Sequence, residues 1–233
     1  MYINNRIPAL IFRVLLFAGC AYGLATVSGV FQGGVTPKML AYYTNISNII
    51  ILAYIFLSVI HTAIGLGIKG KKGTSTLLPR FKGAVIMMLA ATFLVYHFVL
   101  APRLFRMSVN YDVYGLPDIL IHYFTPLMAI LDWLLFDKKG KYRLFEPLLW
   151  LLIPAVYFIA ILIRAEIGPP LNNLGVRYPY FFIDADLLGW PAVLKNSVLC
   201  VLGFGLVGYI FYFIDKIPAL RHKSSVKRQN IEM

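Results

Sequence analysis

The chain has 233 residues, 60% of them hydrophobic and only 14% charged, with a mean hydropathy of +0.75. A water-soluble domain would carry about 25% charged residues, so the composition excludes one and leaves a single transmembrane bundle. The formal net charge of +12 then reflects basic loops that hold a membrane topology, and no nucleic-acid partner is expected.

A bilayer needs about 20 apolar residues per helical crossing. Six such stretches follow one another, predicted at roughly 8–31, 40–68, 83–102, 117–136, 146–165 and 190–214. The expected fold is therefore an all-α membrane protein, a bundle of six transmembrane helices forming one domain, with a basic cytoplasmic tail from about 215 to 233. The first stretch follows Arg6 and contains Arg13; it is too long for a signal-peptide core and reads as an uncleaved helix. Gly19 and Gly23 within it form a small-xxx-small pair suited to close packing. Cys20 and Cys200 lie inside apolar segments and read as buried thiols.

The second stretch opens on Tyr42-Tyr43-Thr44-Asn45-Ile46-Ser47-Asn48, a polar run where the rest of the segment is apolar. Unpaired polar groups at membrane depth cost several kcal/mol, so these side chains are either interhelical glue or part of a site. Helical spacing puts Thr44, Ser47 and Asn48 on one face, with Asn45 about 100° away. The third stretch carries His97 near its end, and the fourth carries His122 and, ten residues on, Asp132.

Charge sorts the loops. Lys69, Lys71, Lys72, Arg80 and Lys82 follow the second stretch, and Lys138, Lys139, Lys141 and Arg143 follow the fourth. With Arg6, Arg13 and the tail, 16 of the 22 basic residues fall on one side, which predicts both termini cytoplasmic. The outer side then has two long connections. Residues 103–116 contain Tyr111, Asp112 and Tyr114; residues 166–189 contain Tyr178-Pro179-Tyr180 and Asp184. Loops of that length are often lids, although tyrosines also serve as interfacial anchors.

With this topology Thr44 lies about 6 Å inside the outer boundary and His122 about 8 Å. His97, Asp184, Asp186 and Lys195 fall in the same outer layer. A histidine in reach of a threonine hydroxyl is a minimal acyl-transfer pair, and Asn45, Asn48 or a backbone amide could hold the developing oxyanion. The alternative is that Thr44 and His122 each bond only a neighbouring helix. No metal site is expected, since His61 and His222 lie at the other side and no HExxH spacing exists. Asp132 lies about 15 Å deeper than His122, too far to orient it, and Arg13 is its expected structural partner.

Tyr42–Asn48, the run His122-Tyr123-Phe124-Thr125-Pro126 leading to Leu131-Asp132-Trp133, Pro154 with Tyr157, and Tyr178–Asp184 occur in that order. Together they resemble bacterial six-helix relatives of the androgen-induced protein and androgen-dependent TFPI-regulating protein family. The resemblance implies an intramembrane threonine hydrolase of fatty acid esters of hydroxy fatty acids, needing no cofactor, in the bacterial inner or plasma membrane. It implies Thr44 as nucleophile and His122 as base. Asn45, Ser47, Asn48, His97, Tyr178, Tyr180 and Asp184, read from the sequence in the same outer region, are candidate supporting or substrate-binding residues. The partners implied are membrane lipids and a lipid ester. A non-catalytic carrier of lipids or small molecules, and a structural membrane protein, are the rival readings of the same polar layer.

Overall fold

The computed structural model describes residues 2–107 and 115–229 as an all-α bundle of six long helices. They are α1 (Arg6–Ser28), α2 (Tyr43–Lys69), α3 (Pro79–Phe105), α4 (Leu116–Phe136), α5 (Glu146–Ile167) and α6, whose apolar part is Trp190–Ile217. Each is long and apolar enough to cross a membrane, so the protein is a multi-pass membrane protein. Six crossings bring the two described ends of the chain out at the same end of the bundle; the opposite end is the far end below.

Helix boundaries follow local chemistry. Gly29, in the left-handed region at φ 88, closes α1 three residues before the predicted end. Residues Pro37–Ala41 form a 3₁₀ turn, which delays α2 from 40 to Tyr43. α3 starts four residues early because Pro79 suits the first helical turn. α6 stays helical to Gln229, well past the predicted 214, since the basic residues that end its apolar run are good helix formers. Tyr111, Asp112 and Tyr114 lie outside the described residues.

α3 is the central helix. It packs on α2, α4, α5 and α6, and 56% of its apolar window is buried, against 11% for α6. Its run from Lys82 to Thr92 is buried without a break. α1 packs along α2 and α4. The close approach to α4 depends on the small pair: a Cβ on Gly19 would meet the Phe124 ring at 2.2 Å, and one on Gly23 would meet Leu120 at 2.9 Å.

At the end that holds the chain termini, two cations and two carboxylates are buried together. Arg13 Nε donates to Asp132 Oδ1 at 2.9 Å, the expected pair. Lys82, counted in sequence with the basic loops, is buried; it also donates to Asp132 and pairs with Asp137 at 2.7 Å. Arg13 further donates to Thr62 Oγ1 at 2.6 Å and to the Ser75 carbonyl at 3.1 Å. The four charges sum to zero and tie α1, α2, α3 and α4 at one level.

Two π turns shape the far end, Tyr96–Leu100 in α3 and Leu120–Phe124 in α4. Each is followed, after one residue, by a proline, Pro102 or Pro126. A helix-interior proline lacks the N–H and clashes with the carbonyl four residues back, here Phe98 or His122, and widening the turn relieves the clash.

Candidate active site

Thr44 is the second residue of α2, where backbone N–H groups have no partner inside the helix. Its carbonyl receives two side chains of its own helix, Ser47 Oγ at 2.8 Å and Asn48 Nδ2 at 2.8 Å. Ser47 also bonds Thr92 Oγ1 on α3 at 3.1 Å. Asn48 has a further task. In the π turn Thr125 N–H bonds the Leu120 carbonyl, and Pro126 has no N–H to offer Ile121. Asn48 Nδ2 supplies the missing donor to the Ile121 carbonyl at 3.0 Å. Its amide hydrogens are thus engaged by two carbonyls, so Asn48 fixes Thr44 against α4 and offers no donor for an oxyanion. Asn45 Nδ2 donates to the Met39 carbonyl at 3.0 Å, tying the start of α2 to the preceding turn.

His122 sits in the π turn of α4, buried beneath Tyr96, whose ring stacks on the imidazole at 3.5 Å and 8°. Its Nδ1 faces Asp118, one helical turn earlier, with contacts of 3.1 Å to Oδ1 and 3.2 Å to the carbonyl. With Nδ1 held there, Nε2 is the nitrogen available for proton transfer. Asp118 was not singled out in the sequence, although its i, i+4 spacing to His122 was the available signal. His97 lies on the other π turn but is exposed, with Nδ1 at 3.2 Å from the Tyr123 hydroxyl, and it lines neither cavity described next. Lys195 is exposed as well.

Two cavities meet at Thr44. The polar one, about 660 Å³, is bounded by Thr44, Asn45, Arg103, Asp118, His122, Tyr178 and Asp184, among others. The apolar one, about 250 Å³, runs between α3, α5 and α6 past Val95, Pro154, Phe158, Cys200 and Phe204. Thr44, Leu100 and Tyr180 line both. Thr44 and His122 therefore share a cavity. No hydrogen bond joins their side chains directly among the described residues, so a proton passing between them crosses the cavity.

The loop after α5 closes the far end. Arg177 grips Asp186 with two N–H groups, one at 2.8 Å, and Arg164 donates to the Arg177 carbonyl at 2.9 Å. Asn196 on α6 donates to the Phe182 carbonyl at 2.8 Å. The Arg177 guanidinium holds the Asp186 carboxyl below the usual carboxylate range. The stability this pair contributes is present above the ordinary aspartate pKa and is lost only as pH falls through the lowered one. Asp184 caps the short helix Ala185–Leu188 through the amides of Asp186 and Leu187, both at 3.0 Å. Tyr178 is buried in the polar cavity's wall. Tyr180 reaches Thr44: its hydroxyl accepts the Thr44 N–H at 3.4 Å and lies beside the Thr44 side chain. Burial pushes that hydroxyl up to about 12, so it stays protonated at neutral pH.

Among the described residues no three of His, Cys, Asp and Glu converge as metal ligands would. No family model matches the chain, and neither a curated protein nor a solved structure is similar to it.

Proposed function

We propose that the protein is an intramembrane hydrolase of lipid esters, with Thr44 as nucleophile, His122 as general base and Asp118 holding the imidazole. One observation carries the reading. Thr44 and a histidine already oriented by a carboxylate line the same cavity, and Thr44 also lines a second, apolar cavity of the kind a lipid chain would fill. The resemblance of Tyr42–Asn48 and His122–Pro126 to the androgen-induced protein family supports the same two residues.

In the proposed reaction the Thr44 oxygen bonds to the ester carbonyl carbon while His122 takes the hydroxyl proton. The carbonyl π pair moves onto oxygen, then returns to expel the alcohol, which receives the proton from His122. A water molecule, deprotonated by His122, attacks the acyl-threonine, and the acid leaves as the proton returns to Thr44. Asp118 stabilises the imidazolium that forms in each half. Fatty acid esters of hydroxy fatty acids and a bacterial inner or plasma membrane are the substrate class and location suggested by the resemblance, and the positive-inside pattern suggests both termini in the cytoplasm.

The test is hydrolysis of such an ester, and of a long-chain p-nitrophenyl ester, by purified protein and by Thr44→Ala and His122→Ala. Both variants are expected to lose turnover by at least the roughly 10²–10⁴-fold that general-base assistance contributes. Hydrolysis at the wild-type rate in both would sink the proposal. A carrier that binds lipid without chemistry is the second reading, favoured by the lack of a direct Thr44–His122 hydrogen bond. It is expected to retain lipid through purification with no turnover at all.

A further inference from the structure

We propose that Tyr180 is a catalytic residue of this reaction, its hydroxyl donating to the ester carbonyl oxygen while Thr44 attacks. The inference rests on the hydrolase reading above and names the group that takes the developing charge. Three observations converge on it.

The first is elimination among the amides near Thr44. Asn48 uses both its donors on the Thr44 and Ile121 carbonyls, and Asn45, about 100° round α2 from Thr44, directs its amide to the Met39 carbonyl in the turn before the helix. Ser47 is committed to the Thr44 carbonyl and to Thr92. The Thr44 N–H itself points at Tyr180. The second is hydrogen-bond direction. Tyr180 accepts from the Thr44 N–H, so its own O–H acts as a donor; the Thr44 and Tyr157 hydroxyl oxygens lie beside it, and the proton turns from them to a carbonyl oxygen entering the site. The neighbouring Tyr157 hydroxyl is spent on the Ala41 carbonyl at 2.8 Å. The third is position. Tyr180 is one of three residues lining both cavities, with Thr44 and Leu100, and is the hydroxyl donor besides the nucleophile among them. An ester threaded between the cavities, with its acyl arm in the apolar one, brings its carbonyl to Thr44 and therefore beside this hydroxyl.

The bonding change is simple. As the Thr44 oxygen bonds to the carbonyl carbon, the π pair localises on the carbonyl oxygen, and the Tyr180 O–H stabilises that charge without transferring its proton. The Thr44 N–H polarises the phenol through the bond it already makes. A donor preorganised where charge develops acts on the transition state more than on bound ester. The ring has a separate duty: it stacks on Phe182 at 5.4 Å and 6° and forms part of the wall of both cavities.

Tyr180→Phe keeps the ring and removes only the hydroxyl. With a long-chain p-nitrophenyl ester, kcat is expected to fall on the order of 10²–10³-fold, the usual effect of deleting one oxyanion donor. KM and the melting temperature in detergent are expected to stay within about twofold and a few degrees, respectively, since the removed hydroxyl contributes one hydrogen bond. Phosphonylation of Thr44 by a fluorophosphonate, which also builds charge on an oxygen, is expected to slow in parallel, and this reading needs no turnover. Unchanged kcat in Tyr180→Phe beside a dead Thr44→Ala would overturn the inference alone. A loss confined to KM, or one matched by unfolding, would also overturn it, leaving Tyr180 as a wall. Full activity in Thr44→Ala would instead remove the hydrolase reading beneath it.

Discussion

Asp118 decides which nitrogen of the His122 ring is left open to the cavity. Its carboxylate meets Nδ1 at 3.1 Å while Tyr96 covers the ring face, so the imidazole has one orientation and one nitrogen left for proton transfer. In the proposed reaction, Asp118→Asn keeps the size and removes the charge that stabilises imidazolium. Turnover of a long-chain ester is expected to fall by roughly 10²-fold or more, toward the general-base contribution, with the protein still folded. A rate within twofold of wild type would show that Asp118 does not assist His122. The sequence holds this pair at i, i+4, but Asp118 stands at the polar start of α4 and has no contrast with the loop before it, whereas Asp132 stands out in an apolar run and has its expected partner in Arg13, with Lys82 beside it. Thr44 and His122 were legible because polar residues stand out against apolar segments. Tyr180 was legible only as a loop aromatic, since nothing local to Tyr178-Pro179-Tyr180 says that the loop folds back onto the start of α2.

At the scale of helices, the far end departs from regular geometry and the other end is locked. The two π turns were written in Pro102 and Pro126, and they bring Tyr96 against His122 while freeing the Ile121 carbonyl for Asn48. The lock is the neutral group of Arg13, Lys82, Asp132 and Asp137. The expected Arg13–Asp132 contact is only half of it, because Lys82 follows a basic loop and looks solvated in sequence, yet its side chain is 1% exposed. Removing one partner leaves an uncompensated buried charge, which costs about 3–5 kcal/mol. Lys82→Met is therefore expected to lower the melting temperature in detergent strongly, and the double change Lys82→Met with Asp132→Asn to recover part of the loss. Equal stability of Lys82→Met and wild type would show that the cluster is not a structural clamp. The loop latch of Arg177 and Asp186 is exposed, and pairs of that kind contribute little to global stability. It closes the segment between Arg177 and Asp186, within which Tyr180 meets the Thr44 N–H.

For the molecule as a whole, composition and run length were enough to read six helices, because a bilayer leaves few other ways to satisfy the backbone. Their mutual arrangement was not readable, since the centrality of α3 depends on which faces meet, and α3 shows little polar contrast along its buried run from Lys82 to Thr92. The cavities were equally hidden: the apolar one draws residues from α2, α3, α5, α6 and the loop after α5. What that assembly achieves is a threonine in the wall of two cavities, one almost wholly apolar and the other shared with the His122–Asp118 pair. The most direct measurement is covalent. Protein in detergent is treated with a long-chain fluorophosphonate, digested and mapped by mass spectrometry. The expected result is one modified peptide carrying the adduct on Thr44, absent from Thr44→Ala and strongly reduced in His122→Ala. An adduct on another side chain, or none on a folded protein, would contradict Thr44 as the nucleophile.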